Sequence, residues 1–155
     1  MKKLFMQKAI DIARQGLRRG QSPFGAVIVK KNRIVSLAHN KVRLKNDCTA
    51  HAEIVALRQA CQDLKTIHLD DCEMYSTCEP CPMCFAALHW ARIKKIYFGV
   101  PIRIPQKYGF NELCLSNQRL KTLAKAPIKI YKGLLHEECE TLFQEWKTQW
   151  GGKPY

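Results

Sequence analysis

Acidic side chains are scarce in this sequence: 13 Asp and Glu stand against 26 Lys and Arg, for a net charge of +13 over 155 residues. The shortage is greatest in residues 1–45, where Asp11 faces twelve basic residues. A basic end attracts polyanions without selectivity. However, Lys2, Lys3, Lys8, Arg14, Arg18 and Arg19 have no exposed aromatic residues interleaved with them, so this face reads as solvated surface and not as a dedicated nucleic-acid groove. Long apolar runs are also missing, and no stretch reaches the roughly 20 residues of a membrane-spanning helix. An export signal is not expected. Met1-Lys2-Lys3-Leu4-Phe5 starts like one, but Asp11, Arg14, Arg18 and Arg19 interrupt any apolar core. A reduced, cytoplasmic setting is therefore expected, in which the eight Cys serve as thiols or metal ligands and not as disulfides. Internal repeats, low-complexity tracts and linkers are absent too, so a single domain over residues 1–155 is expected, with a core to about residue 150 and a flexible tail over 151–155.

What is present alternates between helical and extended patterns. Phe5, Ile10, Ile12, Ala13 and Leu17 predict a helix over residues 2–19 that stops near Gly16 or Gly20. The run Phe24-Gly25-Ala26-Val27-Ile28-Val29 predicts a buried strand. Lys31-Asn32 makes a tight turn, and Arg33 to Ala38 returns as the second strand of a hairpin. A polar loop from His39 to Cys48 leads to a helix over about 50–64, with Asp47 or Thr49 as its cap. Then come a strand over 72–77, a helix over 81–91 and a strand over 95–100, an order that reads as a βαβ unit with parallel strands. Residues 101–108 read as a loop, 109–123 as partly helical, 127–131 as a fifth strand and 136–150 as a closing helix. Cys61 and Cys72 fall in apolar patterns as packing residues. The fold class is α/β: a mixed sheet of about five strands flanked by helices.

One stretch carries chemistry: Thr77-Cys78-Glu79-Pro80-Cys81-Pro82-Met83-Cys84. Cys81 and Cys84 are three apart, which on a helix puts both thiols on one face. With Pro80 before it, Cys81 is expected to open a helix, where the dipole favours a thiolate. His51 supplies an imidazole from the earlier stretch Thr49-Ala50-His51-Ala52-Glu53. Two Cys and one His leave a fourth position of a zinc ion open to water, the pattern of a catalytic site. Glu53 is placed to move protons for that water. Cys78 also forms a Cys-x-x-Cys pair with Cys81, so a closed four-ligand structural site remains an alternative. His39, His68, His89 and His136 lack partner spacing and read as surface or packing residues.

His51-x-Glu53 followed by Pro80-Cys81-x-x-Cys84 resembles the zinc-dependent cytidine deaminase superfamily, whose signature is His-x-Glu with a later Pro-Cys-x-x-Cys. The resemblance runs from Phe24 to about Gly99 and is nearest to the guanine deaminases, then to the tRNA-specific adenosine deaminases. It implies a three-layer αβα cytidine-deaminase-like fold, Zn2+ as cofactor and hydrolytic removal of an amino group, with Glu53 as proton shuttle and the Ala52 and Cys81 amides near the developing oxygen. Ser22-Pro23-Phe24-Gly25-Ala26-Val27 is similar to the family's entry strand, and Asn40 falls where it places a base-binding Asn. Pro82 inside the Cys pair and Trp90 in Leu88-His89-Trp90-Ala91-Arg92 resemble guanine deaminases. So does Gly109-Phe110-Asn111-Glu112, which makes Glu112 a candidate substrate contact. The Lys-Pro-Tyr end looks like the tail that closes over a site in the dimer, with Tyr155 as its covering residue. Phe24 and Trp90 are then candidates to stack on a purine.

The resemblance implies guanine as substrate, a small-molecule nucleobase or nucleoside partner and a homodimer. A tRNA adenosine deaminase and a non-catalytic, zinc-stabilised RNA-binding protein are the alternatives. The sequence departs from the pattern at Cys48, where the family has Pro, and after Gly99, where the Lys-Thr-Gly-Ala-type run of tRNA adenosine deaminases is missing. Glu112 stands where some guanine deaminases have the shorter Asp.

Overall fold

The computed structural model describes residues 1–155. The elements follow in the order α1 (Lys2–Arg18), β1 (Gly25–Lys30), β2 (Arg33–His39), α2 (Val42–Lys45), α3 (Ala52–Asp63), β3 (Cys72–Cys78), α4 (Pro82–Trp90), β4 (Lys95–Val100), α5 (Arg103–Lys107), α6 (Asn117–Ala124), β5 (Lys129–Lys132) and α7 (His136–Trp150). Lys31 and Asn32, at φ 47° and 61°, join β1 to β2. A two-residue hairpin turn with positive φ at both positions is of type I′, and Asn tolerates that conformation best among residues with a β-carbon.

The five strands form one sheet in the order β2-β1-β3-β4-β5. β1 runs antiparallel to β2 and β3, whereas β3, β4 and β5 are mutually parallel. This is the mixed α/β sheet expected, with β3-α4-β4 as its parallel crossover. Alternation along the strands feeds two cores. Val27, Val29, Tyr75 and Tyr97 face α1 and α7, while Ala26, Ile28, Met74, Ile96 and Phe98 face α3 and α4. Gly25 lets β1 pass against α1, because a β-carbon there would collide with the Ala9 carbonyl. On the same side, a two-pronged Arg14–Glu145 ion pair and a Trp150 Nε1–H bond to the Leu17 carbonyl fasten α7 to α1.

Several expectations need correction. The polar stretch 39–48 contains α2, and 101–108 contains α5; both are too short to show a helical period in the sequence. α3 begins at Ala52 with His51 as its N-cap. Asp47 and Thr49 cap nothing there, and instead hydrogen bond to one another ahead of the helix. In α4 it is Pro82, not Pro80, that occupies the first turn, and Cys81 is the N-cap. Residues 151–155 are not a free tail: Pro154 packs against Gly109 and Tyr155 reaches back to Asn40.

Candidate metal centre and active site

Two helices start at the same place. His51 and Cys81 are the N-caps of α3 and α4, and Cys84 lies in the first turn of α4. β3 leads straight into the Cys81 turn, and the opening of β1 lies beside its end, where the Gly25 amide donates to Thr77 Oγ1 at 3.1 Å. His51 Nδ1 is 3.6 Å from both Cys81 Sγ and Cys84 Sγ, and the three ligand atoms lie within 4.8 Å of one another. Tetrahedral bonds of about 2.3 Å to sulfur and about 2.05 Å to nitrogen separate those two atoms by about 3.6 Å. The spacing and the donor set therefore fit zinc, with one position left open.

The charges are arranged to suit a cation. The neighbouring Cys84 thiol, then hydrogen bonds from His51 and the Cys84 amide, hold the Cys81 thiol down to about 4 against the cost of burial. The same Cys81–Cys84 contact, together with burial, raises Cys84. Burial opposes a His51 cation, but its bond to Cys81 and the charges of Glu53, Cys81 and Glu112 outweigh that and raise its pKa. Bound zinc would reverse this balance, since metal ligation requires thiolates and a neutral imidazole. Glu53 is 6% exposed, and burial raises its carboxyl above the usual range. Ser76 Oγ donates to its Oε1 at 3.0 Å, which leaves Oε2 facing Cys84 Sγ at 3.6 Å.

Around this centre lies a pocket lined by Phe24, His51, Glu53, Cys78, Glu79, Cys81, Glu112 and Tyr155. Its free volume is about 10 Å³, room for one water. Glu112 is half-buried and its carboxyl is pushed up to about 7, first by burial and then by the Cys81 charge. The Tyr155 ring stands 6.1 Å from His51 and edge-on to Phe110 at 5.6 Å, closing the pocket from above. Phe24 meets the pocket on one side and Phe110 and Phe143 on the other. Asn40 is fully buried: its Oδ1 accepts from the Val42 amide at 3.1 Å and its Nδ2 donates to the Tyr155 hydroxyl at 3.0 Å. Ala52, also buried, is the first residue of α3, so its amide is one a helix leaves without an internal acceptor.

The structure thus brings His51, Glu53, Cys81, Cys84, Phe24, Glu112 and Tyr155 together, with Asn40 joined through Tyr155. It does not bring Trp90. That side chain is 82% exposed at the far end of α4 and lines a separate cleft with Ile67 and His89. Cys78 is no part of the sulfur–imidazole cluster; it is buried in the core between α1 and α7, and burial raises its thiol strongly. Cys48 is exposed, and Cys61 is half-buried instead of buried. Sequence reasoning passed over Ser76, Glu79 and Phe110. Ser76 carried a usable signal, since a small hydroxyl two residues after Met74 shares that strand's face toward α3.

Comparison with known proteins agrees with this geometry. The family model for the cytidine and deoxycytidylate deaminase zinc-binding region matches residues 1–100. A guanine deaminase of Bacillus subtilis is 38% identical over 152 residues, which is 97% of each chain. A tRNA-specific adenosine deaminase of Aquifex aeolicus is 43% identical over 108 residues, 70% of each chain. Among solved structures, one from a study of A-to-I editing by tRNA:A34 deaminases superposes with a TM-score of 0.78 at 33% identity, covering 89% of this chain and 97% of the other. The chain belongs to the cytidine and deoxycytidylate deaminase family of zinc-dependent hydrolytic deaminases.

Proposed function

We propose that this deaminase acts on a free purine base, guanine first, to give xanthine and ammonia. The observation that carries this reading is the acidic wall: Glu112 faces the same pocket as Glu53, under a cover made by Tyr155 and Phe110. Guanine presents a donor, N1–H, beside the 2-amino group that is lost, and a carboxylate accepts from it, whereas adenine offers only acceptors at N1 and N3. The relation to the Bacillus subtilis guanine deaminase also spans 97% of both chains and so includes the segment carrying Glu112.

His51, Cys81 and Cys84 would hold the zinc, which would supply an activated water. Glu53 would take up a proton through Oε2 and deliver it to the departing amino group. A C–O bond forms, the C–N bond breaks and ammonia leaves. Ser76 fixes the other oxygen of Glu53, so the carboxylate moves its proton without swinging. The Ala52 and Cys81 amides lie where oxygen charge develops. Phe24 offers an edge against the base, and Asn40 exchanges its Tyr155 partner for a base atom. A homodimer and a cytoplasmic setting accompany this reading; Trp90 has no part in it within one chain.

The basic residues 1–45 and the adenosine-deaminase relatives favour a second reading, deamination of adenosine in an anticodon loop. Glu53, buried beside the ligands, argues against a purely structural zinc protein. The test is ammonia release by the zinc-loaded protein from guanine, guanosine, cytosine, cytidine and adenosine, beside an anticodon-loop RNA. Guanine is expected to turn over fastest. Activity on the RNA with none on the small molecules would reverse the assignment.

A further inference from the structure

Beneath Cys81 lies a buried clasp. Glu79 is 6% exposed and Asn117 is fully buried. Glu79 Oε2 accepts from the Ile102 amide at 3.1 Å, and its Oε1 from the Asn117 amide at 2.8 Å. Ile102 is the N-cap of α5 and Asn117 the first residue of α6, so one carboxylate joins two helix starts. Asn117 Nδ2 then donates to the Pro80 carbonyl at 2.6 Å, on the peptide that precedes Cys81. The chain between the two helix starts carries Glu112 into the pocket and Phe110 against Tyr155.

From these bonds we infer that Glu79 and Asn117 are positioning residues that set Cys81 as a metal ligand and hold the Glu112 wall at a fixed distance from it. Asn117 Oδ1 is buried with no partner. The donor end of the same amide grips the peptide before Cys81. Each oxygen of Glu79 serves a different amide, so Gln is not a neutral replacement. Its NH2 would face one N–H and release one helix. Groups that orient a metal ligand in this way commonly contribute 10- to 100-fold to metal affinity. The inference rests on the zinc chemistry of the family and not on the choice of base.

The test compares Glu79→Gln, Asn117→Asp and Ser116→Ala, each loaded with cobalt(II) in place of zinc. Asn117→Asp keeps shape and loses the donor to Pro80. Ser116→Ala removes the α6 cap, where Ser116 Oγ accepts from the Arg119 amide, and leaves the clasp intact. Glu79→Gln and Asn117→Asp are expected to shift the cobalt–thiolate absorption bands and to lose zinc to a chelator about tenfold more readily. Ser116→Ala is expected to lower thermal stability with unchanged bands and unchanged zinc affinity. If the clasp variants melt earlier but keep wild-type bands and affinity, the pair is merely structural and the inference falls. If Ser116→Ala shifts the bands as much as Asn117→Asp, it falls as well. Glu79→Gln and Asn117→Asp are read independently, so failure of one to fold leaves the other decisive. These readouts need no substrate, so their outcome is separate from that of the base panel.

Discussion

The two walls of the pocket are built by different means. Residues 51–84 place the metal ligands at the ends of regular elements: His51 and Cys81 cap two helices, and a central strand leads into Cys81. Residues 101–155 place Glu112 and Tyr155 on connecting chain. Glu112 lies between the short α5 and α6, and Tyr155 lies beyond α7, with left-handed backbone at Gly109, Cys114 and Gly151. The first wall is rigid because its backbone bonds are those of a sheet and two helix starts. The second is held by a few particular contacts, such as Asn40 to Tyr155 and Glu79 to two amides. Chemistry common to a family suits the first wall, and choice of substrate suits the second, because loops change with little cost to the core.

If the division is real, changes in the metal wall abolish chemistry and changes in the other wall alter binding. Glu53→Gln is expected to lower turnover about 10²- to 10⁴-fold, the usual worth of a positioned proton carrier, with zinc content unchanged. Ammonia release beside metal analysis measures both, and near-normal turnover would remove Glu53 from the reaction. Cys84→Ala is expected to lose most of the zinc, whereas Cys78→Ala keeps it, because Cys78 lies outside the cluster. Equal loss from both would make Cys78 a fourth ligand and close the site. In the second wall, Tyr155→Ala removes the bond to Asn40 and the ring over His51. Its expected effect is a rise in KM of about five- to tenfold with kcat less affected. An equal fall in kcat and kcat/KM, with KM unmoved, would place Tyr155 in the transition state instead.

The same division explains how far the sequence could be read. α1, α3, α7 and the β3-α4-β4 crossover announced themselves through long apolar periods, and the metal triad through a spacing that needs no knowledge of the fold. Glu79 contacts residues 23 and 38 positions away. Nothing local marks such a bond, so the clasp was invisible. The one-turn α2 and the five-residue α5 are shorter than any period that could reveal them. Trp90 shows the opposite failure. An aromatic residue in a motif helix looked like a stacking group, but six residues beyond Cys84 the helix has carried it away from the ligand end. The tail looked like a mobile Gly-Gly end, yet Arg43 bonds to the Lys153 carbonyl and Tyr155 packs on Phe110. Its order comes from partners distant in the chain, 110 residues away for Arg43 and Lys153.

The smallest predicted effect tests the second wall without any substrate. Burial raises the Glu112 carboxyl from an ordinary 4.5 to about 7 in the folded, metal-free chain. Below pH 4.5 the group is neutral folded or unfolded and contributes nothing. Between 4.5 and about 7 the unfolded chain ionises first, so the fold loses stability as pH rises. Above 7 the penalty is constant. Glu112→Gln carries no charge and escapes it. In metal-free protein the variant is therefore expected to melt with wild type near pH 4.5 and a few degrees above it at pH 8, with the gap opening mainly between pH 5 and 7. Zinc should narrow that gap, because a dication nearby favours the carboxylate. A gap independent of pH would mean that Glu112 points to solvent, and the acidic wall on which the guanine reading rests would be gone.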